Sequence, residues 1–107
     1  MNREEARKRA EALVGQMTLE EKASQLRYDA PAIPRLGIAA YNWWNEGLHG
    51  VARAGQATMF PQAIGMAATF DTELVGAMAD TVAVEGRAKY NAYSAENDRD
   101  IYKGLTF

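Results

Sequence analysis

The sequence predicts an α/β fold that is mostly helical in this stretch, with two or three short strands. Two segments, 1–27 and 71–91, carry apolar residues at steps of three and four, the period of a helix with one buried face. Between them, in the window 36–70, Glu46 and Arg53 are the only residues with a formal charge. A low-charge window of this kind indicates a buried region or the lining of a pocket.

The composition limits the chain to one domain or to part of a larger one. It has 107 residues, 48% of them hydrophobic and 24% charged, as is ordinary for a globular protein. Twelve basic and 14 acidic residues leave a formal charge of −2, so we expect neither nucleic acid nor a membrane as a partner. No apolar run approaches the roughly 18 residues of a membrane span. With no cysteine and one histidine, thiolate and multi-histidine metal sites are excluded. We expect no metal and no cofactor.

The leading segment, 1–27, predicts two helices separated near Gly15. The apolar face of the first helix consists of Ala6, Ala10, Leu13, Val14 and Met17. A capping box follows, in which the hydroxyl of Thr18 accepts from the amide of Glu21 and the Glu21 carboxylate reaches back. It predicts a second short helix through Leu26. The first residues lack the apolar stretch of a secretion signal, so a cytoplasmic location and export with a lost signal both stay open.

The rest of the chain predicts a short strand, a loop, a long helix and the start of a further strand. An apolar run that ends at Tyr41 is compatible with a buried strand, and 42–55 is mainly loop because it has no regular period. Asp71 is a good N-cap, and the apolar stripe behind it predicts a helix over 71–91. Residues 104–107 look like the opening of a strand.

The most unusual part of the loop is 41–50, where both tryptophans, the only histidine and an isolated carboxylate lie within ten residues. Aromatic faces cover the apolar side of a pyranose, and carboxylates accept hydrogen bonds from its hydroxyls. The candidate sugar-binding residues are therefore Glu46, Trp43 and Trp44. The alternative is structural: the tryptophans pack in a core, His49 is a satisfied buried histidine and Glu46 caps a turn.

Long ungapped motifs in the chain resemble the N-terminal region of glycoside hydrolase family 3, closest to its β-xylosidases and β-glucosidases. The resemblance runs from about residue 8 to Phe107. Its motifs are residues 17–22 (MTLEEK), 41–50 (YNWWNEGLHG), 60–65 (FPQAIG), 67–71 (AATFD) and 87–91 (RAKYN). Two departures are visible, since Gly47 stands where Ala is commoner and Ala39 stands near a position where Pro is common.

The resemblance implies a (β/α)8-type barrel, a TIM barrel, followed by a second domain, with the active site where the two meet. Residues 36–70 then hold a barrel strand and a sugar-binding loop. Family members are retaining exo-glycosidases that hydrolyse terminal β-xylosyl or β-glucosyl residues. Glu46 matches the acidic position that binds hydroxyls of the sugar in the −1 subsite. Xylose-preferring members tend to have Glu there and many glucose-preferring ones have Asp, because the extra methylene fills space that a hexose CH2OH needs.

The resemblance also predicts that the chain is one part of such an enzyme. Retaining hydrolysis needs two carboxyl groups about 5–5.5 Å apart, and Glu46 has no evident partner in the sequence. A complete barrel takes about 250 residues. We therefore expect no catalytic residue in this chain. Its expected partners are β-linked xylo- or gluco-oligosaccharides or aryl glycosides, and the remainder of the parent enzyme. The alternative is a non-catalytic carbohydrate-binding or structural helical module.

Overall fold

The computed structural model describes residues 2–51 and 53–107, which fall into two compact units, Met1–Tyr41 and Asn42–Phe107. Helices predominate in these described residues, as the sequence predicts, and the strands are limited to two pairs of residues. None of the helices in the described part of the chain has both the length and the apolar character needed to cross a membrane.

The first unit begins with two helices, each of which starts at a capping box. Helix α1 (Arg3–Gln16) follows Asn2, and helix α2 (Leu19–Ser24) follows Thr18. The Thr18 hydroxyl accepts from the amide of Glu21 at 3.2 Å, and the Glu21 carboxylate accepts from the Thr18 amide at 2.8 Å. These reciprocal bonds satisfy amides that a helix start leaves without partners. The predicted capping box is confirmed.

A guanidinium–carboxylate pair joins helix α2 to the turn that follows it. Arg35 lies in a 3₁₀ turn (Pro34–Leu36) and donates to both carboxylate oxygens of Glu21. It also donates to the carbonyl of Gln16 at 2.8 Å. Hydrogen bonding to Arg35 lowers the pKa of Glu21 below its ordinary value, so the carboxylate that caps α2 stays ionised to lower pH.

The strands of the described chain are shorter than the sequence predicts. Strand β1 (Asp29–Ala30) pairs with strand β2 (Tyr41–Asn42) in a two-stranded sheet. Ile33 and Ile38 add an isolated antiparallel bridge across the 3₁₀ turn. The apolar run before Tyr41 therefore contributes one bridge and one strand end, and Ala30 and Ile33 are buried beside them.

The second unit contains the long helix that the sequence predicts. Helix α4 (Thr72–Ala95) continues four residues beyond the predicted end and follows the short helix α3 (Ala63–Ala67). The side chain of Asp71 accepts from the amide of Leu74 at 2.9 Å, which confirms Asp71 as the N-cap. Glu73 lies in the first turn, where the helix dipole favours a negative charge.

The segment after helix α4 is held by side chains and forms no strand in the described residues. The amide of Gly104 donates to the side-chain oxygen of Asn45 at 2.7 Å, so a side chain takes the place of a strand partner. Lys103 donates to Asp98 at 2.6 Å and lies 4.7 Å from the ring centre of Tyr93. Residues 104–107, predicted to open a strand, are bent or irregular here.

Candidate functional site

The predicted carboxylate lies in an open cleft of about 960 Å³ in the second unit. Residues from 45–51 line one part of this cleft, residues from 53–59 line another, and Phe107 contributes an aromatic ring. Most of the lining is apolar or small. Glu46 is the only carboxylate among the described residues that line the cleft.

The fold brings together the two charged residues of the low-charge window. Oε2 of Glu46 lies 3.8 Å from Nε of Arg53, and the Glu46 side chain keeps 45% of its surface exposed. The guanidinium of Arg53 also lies over the ring of Tyr102, 5.5 Å from the ring centre. The cleft therefore presents an acceptor and a set of donors side by side.

The two tryptophans lie beside Glu46 in the chain, but neither belongs to the described lining of the cleft. Each is 52% exposed, so the indoles are not part of a buried core. The backbone of Trp44 is fixed at both ends: its amide donates to Asn42 at 2.9 Å, and its carbonyl accepts from the Tyr102 amide at 3.0 Å. The structure thus places Glu46 in the cleft wall and leaves the tryptophans on neighbouring surface.

His49 lines the cleft and is joined to Phe60, the residue that follows the second part of the lining. Its Nδ1 lies 2.9 Å from the carbonyl oxygen of Phe60, and its own carbonyl accepts from the Phe60 amide at 2.8 Å. A carbonyl only accepts, so Nδ1 carries the hydrogen of this bond. The sequence singles out His49 as the only histidine, but its contact with Phe60 is set by the fold and has no local signature.

A second connection joins the cleft to helix α4. The carboxylate of Glu85 accepts from the amide of Thr58 at 2.9 Å and from its hydroxyl at 2.6 Å. These bonds to Thr58 lower the pKa of Glu85, with the hydroxyl as the main cause. Sequence analysis missed this pair because the two residues are far apart in the chain and neither stands out in its own segment.

The arrangement suits hydrogen bonding to hydroxyl groups. In residues 2–51 and 53–107, no three His, Cys, Asp or Glu side chains are close enough to hold a metal ion. The described lining also lacks the pair of carboxyl groups that retaining glycoside hydrolysis requires. What it offers is one carboxylate that accepts and one guanidinium that donates.

Comparison with known proteins gives consistent relatives, although no protein-family profile matches the chain. The chain is 47% identical over 95 residues to a probable exo-1,4-β-xylosidase of Aspergillus fumigatus. It is 48% identical over 86 residues to a xylan 1,4-β-xylosidase of Xylanibacter ruminicola. It is 46% identical over 110 residues to the probable β-D-xylosidase 7 of Arabidopsis thaliana.

These matches cover 78%, 80% and 94% of the chain, and 12%, 10% and 13% of the respective relatives. The chain therefore spans about an eighth of the length of the curated relatives it matches. Similarity at this level over most of the chain confirms the resemblance that its motifs indicate. Most of the chain is thus homologous to one part of proteins named β-xylosidases.

Proposed function

We propose that the chain supplies part of the −1 sugar subsite of a retaining, exo-acting β-glycosidase that hydrolyses terminal β-xylosyl or β-glucosyl residues. The observation that carries this proposal is the half-exposed carboxylate of Glu46 in the cleft wall, with Arg53 beside it. The relatives named β-xylosidases support the same class of substrate.

The chemistry of the cleft is compatible with a pyranose. An ionised carboxylate accepts up to two strong hydrogen bonds from vicinal hydroxyls, and such charge-assisted bonds are about twice as strong as neutral ones. Apolar surface covers the C–H side of a pyranose ring. We propose that the half-exposed indoles of Trp43 and Trp44, which precede Glu46 in the chain, supply this surface from outside the described lining of the cleft. In this proposal Glu46 binds hydroxyls, and the tryptophans contact the sugar or the bound aglycone.

The bond-breaking carboxylates are proposed to lie on polypeptide outside the matched region. Glu46 has no second carboxylate within the described lining of the cleft, and one carboxyl group does not suffice for a retaining mechanism. We further propose that the helices and short strands belong to the first part of a (β/α)8-type barrel. The purified chain should therefore release no product from an aryl β-xyloside, and turnover by the chain alone would refute this part of the proposal.

Sugar binding by the chain tests the role of Glu46 directly. The probes are methyl β-D-xylopyranoside and methyl β-D-glucopyranoside, and the readout is intrinsic tryptophan fluorescence. Glu46→Gln removes the charge but keeps the shape, so we expect binding of the xyloside to weaken by about tenfold or more. Glu46→Asp shortens the side chain by one methylene and should shift the preference toward the glucoside.

Glu20→Gln is the matched control, because it makes the same chemical change on an exposed position of helix α2. It should bind the xyloside as the unchanged chain does. Equal affinity of Glu46→Gln and the unchanged chain would remove Glu46 from the sugar site. Saturable binding that is independent of Glu46 would instead favour a carbohydrate-binding module that uses other residues.

A further inference from the structure

We infer that Arg53 is a second sugar-binding residue of the cleft, that it acts together with Glu46, and that the ring of Tyr102 holds it in position. The inference rests on the proposed sugar subsite and adds a residue to it. Arg53 lines the same cleft as Glu46. Among the described residues of the lining, it is also the only arginine or lysine.

The two charged groups are close enough for one hydroxyl, approaching from the side, to contact both. The 3.8 Å between Nε of Arg53 and Oε2 of Glu46 exceeds the length of a hydrogen bond. With side chains 69% and 45% exposed, the pair itself adds little to stability. A pyranose hydroxyl both donates and accepts. Its hydrogen can be given to Glu46 while its oxygen, or that of the adjacent hydroxyl, accepts from Arg53.

Tyr102 fixes the position of the guanidinium relative to Glu46. A distance of 5.5 Å from the guanidinium carbon to the ring centre is within the range of a cation–π interaction. The amide of Tyr102 donates to the carbonyl of Trp44, two residues before Glu46, at 3.0 Å. The ring that orients Arg53 is therefore attached to the segment that carries Glu46. A long side chain held in this way loses less freedom when it binds a ligand.

Titration with methyl β-D-xylopyranoside, followed by tryptophan fluorescence, tests the inference. Arg53→Met keeps the length of the side chain but removes the donors, so affinity should fall by about tenfold. Arg53→Lys keeps one donor group and the charge and should recover part of this loss. Tyr102→Phe keeps the ring and should bind as the unchanged chain does, whereas Tyr102→Leu removes the ring and should weaken binding.

A double variant separates joint action from independent action. If Arg53 and Glu46 hold the same hydroxyls, combining Arg53→Met with Glu46→Gln should weaken binding by less than the product of the two single losses. Arg9→Met, on the exposed surface of helix α1, is the matched control and should leave affinity unchanged. Circular dichroism and urea unfolding of each variant identify any loss of affinity that comes from unfolding.

The outcomes distinguish this inference from the proposed function. If Glu46→Gln weakens binding and folded Arg53→Met does not, Arg53 is excluded and the proposed subsite stands. If the losses multiply fully in the double variant, joint action is excluded. If the unchanged chain shows no saturable response to the xyloside, the proposed subsite fails, and the role of Arg53 fails with it.

Discussion

At the scale of single residues, Gly50 permits a contact that any side chain would block. Its φ is +139°, a backbone conformation that residues with a Cβ rarely adopt. A Cβ built at this position would lie 2.4 Å from the carbonyl oxygen of Thr58. Thr58 is itself held by Glu85, so the carbonyl has little freedom to move away.

We therefore predict that Gly50→Ala lowers the free energy of unfolding by about 2 kcal/mol. Gly76→Ala is the matched control, because Gly76 lies inside helix α4 with no atom within 4 Å of an added Cβ. That change should raise the free energy of unfolding by about 1 kcal/mol. Urea unfolding measures both. A Gly50→Ala variant as stable as the unchanged chain would show that the close approach to Thr58 is not needed.

How far single residues are predictable depends on whether their contacts are local. The isolation of Glu46 and Arg53 in a low-charge window is visible in the sequence and indicates a pocket, and the structure places both in one cleft. The ring of Tyr102 under Arg53 has no signal in the sequence, because a loop contact between distant residues obeys no period. The sequence also gives no sign that Trp43 and Trp44 lie outside the described lining of the cleft.

At the scale of elements, helices are predicted better than strands for a physical reason. The capping box of helix α2 and the N-cap of helix α4 are made by residues within one turn, so their signals are complete in a few letters of sequence. A strand forms only when its backbone hydrogen-bonds to a partner strand, which can lie far away in the sequence. Strand β1 has two residues, too few to show an alternating pattern in the sequence. At Gly104, the side chain of Asn45 accepts the backbone hydrogen bond that a neighbouring strand would otherwise accept.

The link between helix α4 and the cleft should depend on pH. Hydrogen bonds from Thr58 lower the pKa of Glu85 below its ordinary 4.5 in the folded chain. A carboxyl whose folded pKa is depressed stabilises the fold fully above its unfolded pKa, and this contribution is lost as pH falls through the folded value. We predict that the unchanged chain loses more stability below about pH 4.5 than Glu85→Gln does.

Urea unfolding at a series of pH values measures this difference. Thr58→Val is the matched variant, because it removes the hydroxyl but keeps the amide that donates to Glu85. Its loss of stability in acid should lie between those of the unchanged chain and Glu85→Gln. Parallel acid profiles for all three proteins would show that Glu85 is not linked to folding.

At the scale of the whole molecule, the described chain buries few hydrophobic residues and exposes many large ones. Its buried hydrophobic residues are limited to Ala30, Ile33 and Val51 among 2–51 and 53–107. Five large apolar side chains are at least 78% exposed: Leu19, Leu26, Met59, Ile64 and Phe70. The periodicity of the helices predicts apolar faces correctly, but it does not show what covers them. In the proposed barrel, further polypeptide covers this surface.

A substitution of Phe70 tests whether these apolar side chains are exposed in solution. Its side chain is 93% exposed, and its backbone has a φ of +54°, in the left-handed region that Asn adopts more easily than Phe. Phe70→Asn should therefore reduce the binding of a hydrophobic dye such as ANS and raise the free energy of unfolding by about 1 kcal/mol.

Leu26→Asn, at a side chain 89% exposed, is the control. It should reduce dye binding without a gain in stability, because the φ of Leu26 is not positive. If Phe70→Asn lowers stability instead, the ring of Phe70 makes a stabilising contact in solution and does not lie free on the surface.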